Sequence, residues 1–169
     1  MLDNYVFRQI NKEEIPIMFE IILGRMKWMD KVGIKQWNYT HYDQRYPISY
    51  YEEKREKGEV YVLIDKKKDK IVAVGVLKKD EDRWPESFDI EKGLYLHNFA
   101  TLVGENGVGK VFIKFAEQLA YNQGKEFFRL DSADDNAPLE KYYTEQGYVP
   151  VGNCKDGMYT GILRQKRLR

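Results

Sequence analysis

The sequence predicts an α/β or α+β fold built on a mixed β-sheet. The first observation is a pair of neighbouring segments, residues 59–65 and 70–79, whose β-branched apolar runs are typical of central strands and are separated by a short charged turn. The second is a regular alternation of strand and helix patterns after residue 93. Alternation at these lengths predicts a parallel β-α-β crossover that follows the antiparallel strands.

The first part of the chain predicts a short strand followed by a long amphipathic helix. Residues 4–9 alternate in the manner of an edge strand. Asn11 has the character of a helix N-cap, and the acidic Glu13 and Glu14 in the first turn complement the helix dipole. Gly33 ends this helix or its continuation. Apolar side chains recur at helical spacing along it, at Ile17, Ile21, Ile22 and Met26.

An aromatic and irregular segment, residues 36–48, lies between the long helix and the central strands. Two interpretations are open: an aromatic cluster packed beneath a loop, or one wall of a small-molecule pocket. In the second interpretation Trp37 and Tyr39 would line the pocket of an acceptor substrate, together with Trp84 from a later loop. A further helix is predicted over residues 48–57.

The C-terminal half contains the alternating elements. A polar loop over residues 83–92 precedes a strand over residues 94–101, and this strand leads into a glycine-rich loop at residues 104–109. The remaining predicted elements are a helix over 110–122, a strand over 126–131, a helix over 137–146, and strands over 148–152 and 158–164. A length of 169 residues predicts a single domain, 1–169.

The composition excludes several classes of function. The 28 Lys and Arg residues balance the 27 Asp and Glu residues, and the net charge of +1 argues against nucleic acid as the main partner. One cysteine and two histidines cannot form an internal disulfide or a zinc site, so no metal is expected and a reducing, cytoplasmic setting fits. No apolar stretch approaches the ~20 residues that span a bilayer, so no membrane partner is expected.

The glycine-rich loop predicts an anion-binding site. Gly104, Gly107 and Gly109 allow a tight turn after a strand and leave backbone N–H groups at the start of a helix, where phosphates bind. The alternative is a turn that serves only the close packing of helix on sheet. Two nucleotide motifs do not fit, because Val111 replaces the Ser or Thr of the Walker motif and Phe112 replaces the last glycine of the dinucleotide fingerprint.

The same loop resembles a hallmark of the GCN5-related N-acetyltransferases, the GNAT family. In that family a loop of pattern Gln/Arg-x-x-Gly-x-Gly/Ala at a helix start cradles the pyrophosphate of acetyl-coenzyme A, and residues 104–109 match both glycines. The first position departs from the pattern, because Gly104 stands where the family has Gln or Arg. This departure removes one side-chain contact, so the resemblance implies a cradle of backbone amides with help from Lys110.

A second stretch, residues 130–148, resembles the family's strand, Asn and helix segment with its Tyr-x-x-x-Gly-Phe/Tyr signature. Tyr143 occupies the tyrosine position, and Gly147 and Tyr148 complete the signature. The resemblance implies a central, mostly antiparallel sheet with a parallel β-α-β unit at the cofactor site and helices on both faces. It implies that acetyl-coenzyme A contacts Phe99, Ala100, Thr101, Gly104, Glu105, Asn106, Gly107, Val108, Gly109, Lys110, Asn136 and Tyr143.

Two residues are candidates for catalytic proton transfer. The resemblance places the phenol of Tyr143 beside the cofactor sulfur, where it would protonate the thiolate; the alternatives are ring packing on the sheet or a role for Tyr142 instead. Many members have an acidic base on the strand that leads into the loop. This strand has no acid, so His97 is the candidate base, with a structural histidine as the alternative. Asn98 could orient a water but cannot act as a base.

These observations predict an acetyl-coenzyme A-dependent N-acetyltransferase that acts in the cytoplasm on the primary amine of a small molecule by direct transfer. The alternative is a coenzyme A-binding module with little or no catalytic activity, which would act as a sensor or an assembly partner. Nothing in the sequence selects the acceptor amine, and a homodimer is left open.

Overall fold

In a computed structural model, which describes residues 2–169, the chain forms seven strands and five α-helices. The strands are β1 (Tyr5–Gln9), β2 (Val60–Asp65), β3 (Lys70–Lys78), β4 (Gly93–Thr101), β5 (Phe127–Ala133), β6 (Val149–Asp156) and β7 (Tyr159–Arg167). The helices are α1 (Ile15–Val32), α2 (Tyr42–Arg45), α3 (Ile48–Glu56), α4 (Val108–Asn122) and α5 (Ala137–Glu145). Short 3₁₀ turns occupy Leu2–Asn4, Lys12–Glu14, Glu86–Phe88 and Ile90–Lys92.

The seven strands hydrogen-bond in the order β1-β2-β3-β4-β5-β7-β6. The pairs β1/β2, β2/β3, β5/β7 and β6/β7 are antiparallel, whereas β4 and β5 are parallel. Because α4 lies between β4 and β5 along the chain, these three elements form the predicted parallel β-α-β crossover. The predicted mixed sheet is confirmed.

The chain divides into two compact units. The first contains residues up to 76 and residues 98–115, and the second contains residues 77–97 and 116–169. The boundary cuts β4 after its fifth residue, His97, and cuts α4 after Phe115. That the chain is a single domain, 1–169, stays a prediction.

The core of the first unit joins α1 and α3 to the central strands. Met18 and Ile22, four residues apart on one face of α1, are both fully buried. Val62 of β2 lies opposite Val74 of β3, and this pair is also fully buried. Tyr51 of α3 packs into the same cluster. The predicted packing face of α1 is therefore correct at Ile21 and Ile22 but wrong at Ile17, which is 47% exposed while Met18 takes its place in the core.

The core of the second unit surrounds β5. Phe128, Arg129 and Leu130 are consecutive on this strand, and each is at most 2% exposed. Successive side chains point to opposite faces of a strand, so both faces of β5 are covered. Tyr95 of β4 and Leu163 of β7 belong to a neighbouring buried cluster.

Most predicted elements are confirmed within one or two residues, and the largest differences lie in α2 and in the strands β6 and β7. The helix α4 begins at Val108 rather than at Lys110, because the left-handed backbone of Gly107 already ends the loop. The aromatic segment contains the short, unpredicted helix α2, which follows His41 with φ 52. The strands β6 and β7 are longer than predicted because they pair with each other up to their connecting turn. Within residues 2–169, no helix combines the length and apolar character needed to cross a bilayer.

Candidate functional site

The glycine-rich loop leaves β4 after Thr101 and enters α4 at Val108. Gly104 has φ 93 and Gly107 has φ 79, both in the left-handed region that other residues adopt only at a cost. A Cβ atom at either position would meet no atom within 4 Å, so the backbone conformation and not crowding demands glycine there. The first turn of a helix carries N–H groups without an intrahelical acceptor, and here that turn directly follows Gly107. The loop therefore has the local geometry of an anion cradle.

Glu105 anchors this loop to the turn between β2 and β3. Its carboxylate accepts from Lys68 Nζ at 2.7 Å and lies 3.0 Å from Lys70 Nζ. The two ammonium groups lower the pKa of Glu105, and its backbone N–H donates to Leu102 O at 3.2 Å. The carboxylate and the N–H of Glu105 thus support the loop itself, and its charge is neutralised before any phosphate approaches. The lysine partners are more than thirty residues away in sequence, so no local pattern predicts them.

Arg25 of α1 fixes the end of β4. Its Nε donates to the carbonyl of Thr101 at 2.7 Å, and its Nη2 donates to the Thr101 hydroxyl at 2.6 Å. Partial burial lowers the pKa of Arg25 from its ordinary value, although a guanidinium remains charged at neutral pH. Phe99 packs on Phe112 of α4 with ring centroids 5.2 Å apart, and Ala100 is buried. The side chains of this part of β4 therefore serve packing, so ligand contacts would fall to its backbone.

Asn98 interrupts the regular backbone of β4. Its φ of 52 is left-handed, a conformation that asparagine tolerates better than most residues. The sequence has no glycine at this point, so residues 94–101 are predicted as one regular strand. The parallel pairing of β4 with β5 involves Gly93, Leu94 and Tyr95, ahead of this irregular residue.

The side chain of Asn98 holds two tyrosines of the aromatic segment. Its Nδ2 donates to the Tyr42 hydroxyl at 2.6 Å, and its Oδ1 accepts from the Tyr50 hydroxyl at 2.9 Å. Burial and the neighbouring tyrosines raise the pKa of Tyr42 well above its ordinary value. Sequence reasoning assigned Asn98 a water-orienting role at most and missed this structural one.

The aromatic segment is an interlocked cluster. Trp37 stacks on Tyr42 with centroids 4.2 Å apart, and Tyr46 lies 4.8 Å from both Tyr42 and Tyr50. Tyr39 is 53% exposed, and Lys35 Nζ lies 5.3 Å from its ring centroid. Trp37 belongs to the packed cluster, which supports the interpretation as an aromatic cluster beneath a loop. Tyr39 is exposed, which leaves it available as one wall of a small-molecule pocket. Their contact with an acceptor stays a prediction.

We expect Asn98→Ala to lower the free energy of unfolding by about 2–4 kcal/mol, because two partly buried hydroxyls lose their partner and alanine disfavours a positive φ. Asn98→Gly should recover only the part of this stability loss that comes from the positive φ, because glycine adopts that backbone conformation but provides no hydrogen bonds to the two hydroxyls. Asn122→Ala, at an exposed site at the end of α4, is the matched control and should change stability by less than about 0.5 kcal/mol. Urea unfolding measures all three; an Asn98→Ala change as small as that of the control contradicts the structural role.

Tyr143 occupies the buried face of α5. It is 6% exposed, and its ring contacts Tyr142 and Tyr148 at centroid distances of 5.1 and 5.9 Å. Burial raises the pKa of Tyr143 above its ordinary value, Tyr142 and Asp131 add to the effect, and the charge of Arg164 opposes it. The hydroxyl makes no hydrogen bond to another residue of the described chain 2–169. At the start of α5, Asn136 Oδ1 accepts from Leu139 N at 3.0 Å, so this side chain is an N-cap.

Arg164 is a functional candidate that sequence reasoning missed. Its side chain is fully buried on β7, and Nε donates to Ser132 Oγ at 2.9 Å. Neither Nη1 nor Nη2 has a hydrogen-bond partner among the described residues. An uncompensated buried cation favours negative charge in its surroundings. In the sequence it is one of four basic residues close together near the C-terminus, with Lys166, Arg167 and Arg169, and only the strand pairing places its side chain in the interior.

His97 and Glu81 come together from different segments of the second unit. His97 Nδ1 lies 3.4 Å from Glu81 Oε2, and the two side chains are 9% and 7% exposed. Burial raises the pKa of Glu81 from its ordinary value. The sequence places no acid on the strand that holds His97, but the loop after β3 brings one to it. The spacing of residues in the sequence does not predict that Glu81 and His97 are neighbours.

Trp84 lies in the core of the second unit. It is 4% exposed, with its ring 5.1 Å from Phe88 and 5.7 Å from Tyr95, and the Arg129 guanidinium sits 5.0 Å from its centroid. Its proposed contact with an acceptor stays a prediction. Among the described residues, no group of three or more His, Cys, Asp or Glu side chains is arranged to hold a metal ion.

Comparisons with known proteins agree with this geometry. Residues 26–148 match the profile of the Acetyltransferase (GNAT) family. No curated protein matches the chain. A GNAT-family acetyltransferase from Listeria monocytogenes shares 22% identity, with a TM-score of 0.77 over 97% of this chain and 95% of that one.

Two further solved structures share the fold at 14% identity. The PaiA N-acetyltransferase of Thermoplasma acidophilum, in complex with coenzyme A, matches with a TM-score of 0.74 over 96% of this chain and 98% of that one. YncA of Salmonella typhimurium, solved with its cofactor acetyl-CoA, matches with a TM-score of 0.64 over 98% of this chain and 95% of that one. At these identities the likeness establishes the fold.

Proposed function

Because the chain belongs to the GNAT acetyltransferase family, we propose that it transfers an acetyl group from acetyl-coenzyme A, the co-substrate of that family, directly to the primary amine of a small molecule. The observation that carries the proposal is the loop that leads into α4 with left-handed glycines at 104 and 107. Such a loop presents backbone N–H groups to a pyrophosphate at a helix N-terminus.

The residues present fit the donor. The space beside Gly104 and Gly107 is open, and Glu105 is neutralised by its two lysines, so the loop has no uncompensated negative charge to repel phosphate. The pyrophosphate would contact amides at the start of α4 and Lys110, and the pantetheine arm would contact the backbone of residues 99–101. The relatives from Thermoplasma and Salmonella, solved with coenzyme A and acetyl-CoA, support this assignment.

The chemistry requires two proton transfers. The free amine attacks the thioester carbonyl, a C–N bond forms, and the nitrogen gives its extra proton to His97. The C–S bond then breaks, and the sulfur takes a proton from Tyr143. The protons of His97 and Tyr143 re-equilibrate through solvent, so amine and thioester yield amide and thiol. Burial keeps Tyr143 protonated throughout the neutral range, and the charge of Arg164 offsets the negative charge that forms on the phenol as the proton leaves.

A second candidate is a coenzyme A-binding module without turnover. The raised pKa of Tyr143 favours it, because a phenol that holds its proton more tightly is a weaker acid. So does Gly104, which replaces the side-chain phosphate contact of the family pattern.

A thiol-release assay with acetyl-coenzyme A and a panel of amines separates the two candidates. The panel contains a polyamine, an amino acid and an aminoglycoside, and mass spectrometry identifies the acetylated product. An acetyltransferase releases thiol in proportion to amide with at least one of these amines. A binding module shows a melting shift with acetyl-coenzyme A and no amine-dependent thiol.

We expect Gly107→Ala to raise the KM for acetyl-coenzyme A about tenfold, since a strain of 1–2 kcal/mol at a positive φ must distort the cradle. Gly24→Ala is the matched control, because this helical glycine also has open space around its Cβ but no positive φ. Its KM should match that of the wild type. Steady-state kinetics measure both; an unchanged KM in Gly107→Ala would remove the loop from donor binding.

The acceptor class, the cytoplasmic location and a homodimer stay predictions. For the acceptor, Trp37 and Tyr39 are the first positions to vary, because they lie in or beside the aromatic cluster that Asn98 holds.

A further inference from the structure

Glu81 has a buried carboxylate oxygen without a hydrogen-bond partner. The residue is 8% exposed, and no described residue donates a hydrogen bond to Oε2. The other oxygen, Oε1, accepts from the backbone N–H of Arg83 at 3.4 Å. A buried carboxylate oxygen that is not hydrogen-bonded is costly, so native proteins seldom keep one without a role.

The group that faces this oxygen is the imidazole of His97. Nδ1 lies 3.4 Å from Oε2, and both side chains are almost fully excluded from water. In such surroundings a charge acts on its neighbour more strongly than at a surface. A proton gained by His97 would make its contact with the Glu81 carboxylate charge-assisted.

The other charges near Glu81 are either more distant or engaged elsewhere. Lys78 Nζ is 3.8 Å from Oε2. The Arg83 guanidinium binds Asp131 at 3.2 Å and Asp156 at 3.1 Å, and the Asp131 charge opposes ionisation of Glu81. His97 is therefore the nearest of the ionisable partners to the unsatisfied oxygen.

We propose that Glu81 is a positioning residue for His97 in the acetyl-transfer reaction, holding Nδ1 and stabilising the imidazolium that forms when Nε2 takes the proton of the attacking amine. The proposal rests on the proposed function. It assigns the carboxylate one part of the task that an aspartate performs behind the histidine of a catalytic triad: it stabilises the imidazolium by its negative charge and does not itself become protonated. No proton passes to Glu81, and the amine proton leaves His97 for solvent after the C–S bond breaks.

The test combines activity with a histidine titration. Glu81→Gln should lower kcat/KM for the amine 10- to 100-fold and leave the KM for acetyl-coenzyme A unchanged. It should also move the acidic limb of the pH profile to lower pH, because a neutral amide no longer favours the protonated imidazole. Glu81→Asp should recover part of the activity. In a His97→Gln background the change at 81 should have no further effect. Glu86→Gln, an exposed glutamate of the same loop, is the control and should behave as wild type.

An NMR titration supplies a readout independent of turnover. The chain has two histidines, so His41→Gln assigns the signal of His97. Glu81→Gln should lower the titration midpoint of His97 with circular dichroism unchanged. An unmoved midpoint and pH profile, or an equal loss of activity in the His97→Gln background, would overturn the proposal. If Glu81→Gln moves the midpoint but the wild-type chain acetylates no amine, the pairing exists and the proposed function fails instead.

Discussion

Tyr143→Phe should lower kcat by about 100-fold, because the leaving thiolate loses its proton donor. The KM for acetyl-coenzyme A should stay within about twofold, since in our account the donor is gripped by backbone amides rather than by the phenol. The fold should be retained, because the substitution removes only a hydroxyl that hydrogen-bonds to none of residues 2–169 and leaves the buried ring in place. Steady-state kinetics with the best amine measure the effect.

Two further tyrosines make this prediction specific. Tyr142→Phe tests the neighbour on the same helix and should leave most of kcat. Tyr121→Phe, at a site that is 47% exposed on α4, controls for the loss of any tyrosine hydroxyl and should leave kcat unchanged. A Tyr143→Phe enzyme that works at the full rate would remove the phenol from the mechanism, and a large loss in Tyr142→Phe alone would transfer the role to that residue.

Arg129→Met should lower the free energy of unfolding by about 3 kcal/mol or more, because four acceptors, all buried or partly buried, lose their donor at once while the methionine replaces only the aliphatic stem. Arg129 is 1% exposed. Its four hydrogen bonds reach Phe88 O at 2.6 Å, Asp89 O at 3.0 Å, the Tyr95 hydroxyl at 2.7 Å and Gln165 Oε1 at 3.0 Å. The loss should loosen the loop that also contains Glu81, and urea unfolding measures it.

Arg167→Met is the matched control, since this arginine on β7 is 70% exposed and pairs with Glu126 at the surface. It should cost less than about 1 kcal/mol. Arg129→Lys keeps the charge but not the planar arrangement of donors, so its free energy of unfolding should fall between those of the wild type and Arg129→Met. Equal stabilities for Arg129→Met and Arg167→Met would contradict the structural role of the buried guanidinium.

Local patterns predicted the elements around the donor loop, because strands, helix caps and glycine turns depend on residues near in sequence. In the segment from β4 through α4 to β5, the predicted start of the helix lies within two residues of the observed one. The resemblance to the family also rested on such contiguous motifs. What these motifs cannot specify is the direction in which each side chain points once the sheet has formed.

The side-chain contacts that the sequence does not predict depend on partners distant in the chain. Arg25 reaches Thr101 across 76 positions, and Glu105 reaches Lys68 across 37. Glu81 meets His97 only because the chain leaves β3, turns and returns as β4. Such pairings follow from the register and twist of strands and from loop conformation, which composition and periodicity do not encode.

Asn98 and Trp84 show the same limit in different ways. An asparagine with a positive φ inside a strand leaves no mark on the alternation of apolar and polar residues. Nothing in the sequence indicates that Trp84 packs in a core, and its buried position depends on contacts such as the one with Arg129, whose guanidinium lies 5.0 Å from its ring centroid. In both positions the deciding partner lies in another segment of the chain.

The proposed activity of the chain is acetyl transfer to an amine. The most direct measurement is mass spectrometry of the amine after incubation with acetyl-coenzyme A labelled with ¹³C in the acetyl group. We expect one labelled amide for each thiol released by the wild-type chain, and a strongly reduced yield with Tyr143→Phe. Binding of acetyl-coenzyme A, seen as a melting shift, without any labelled amide across the panel would contradict it.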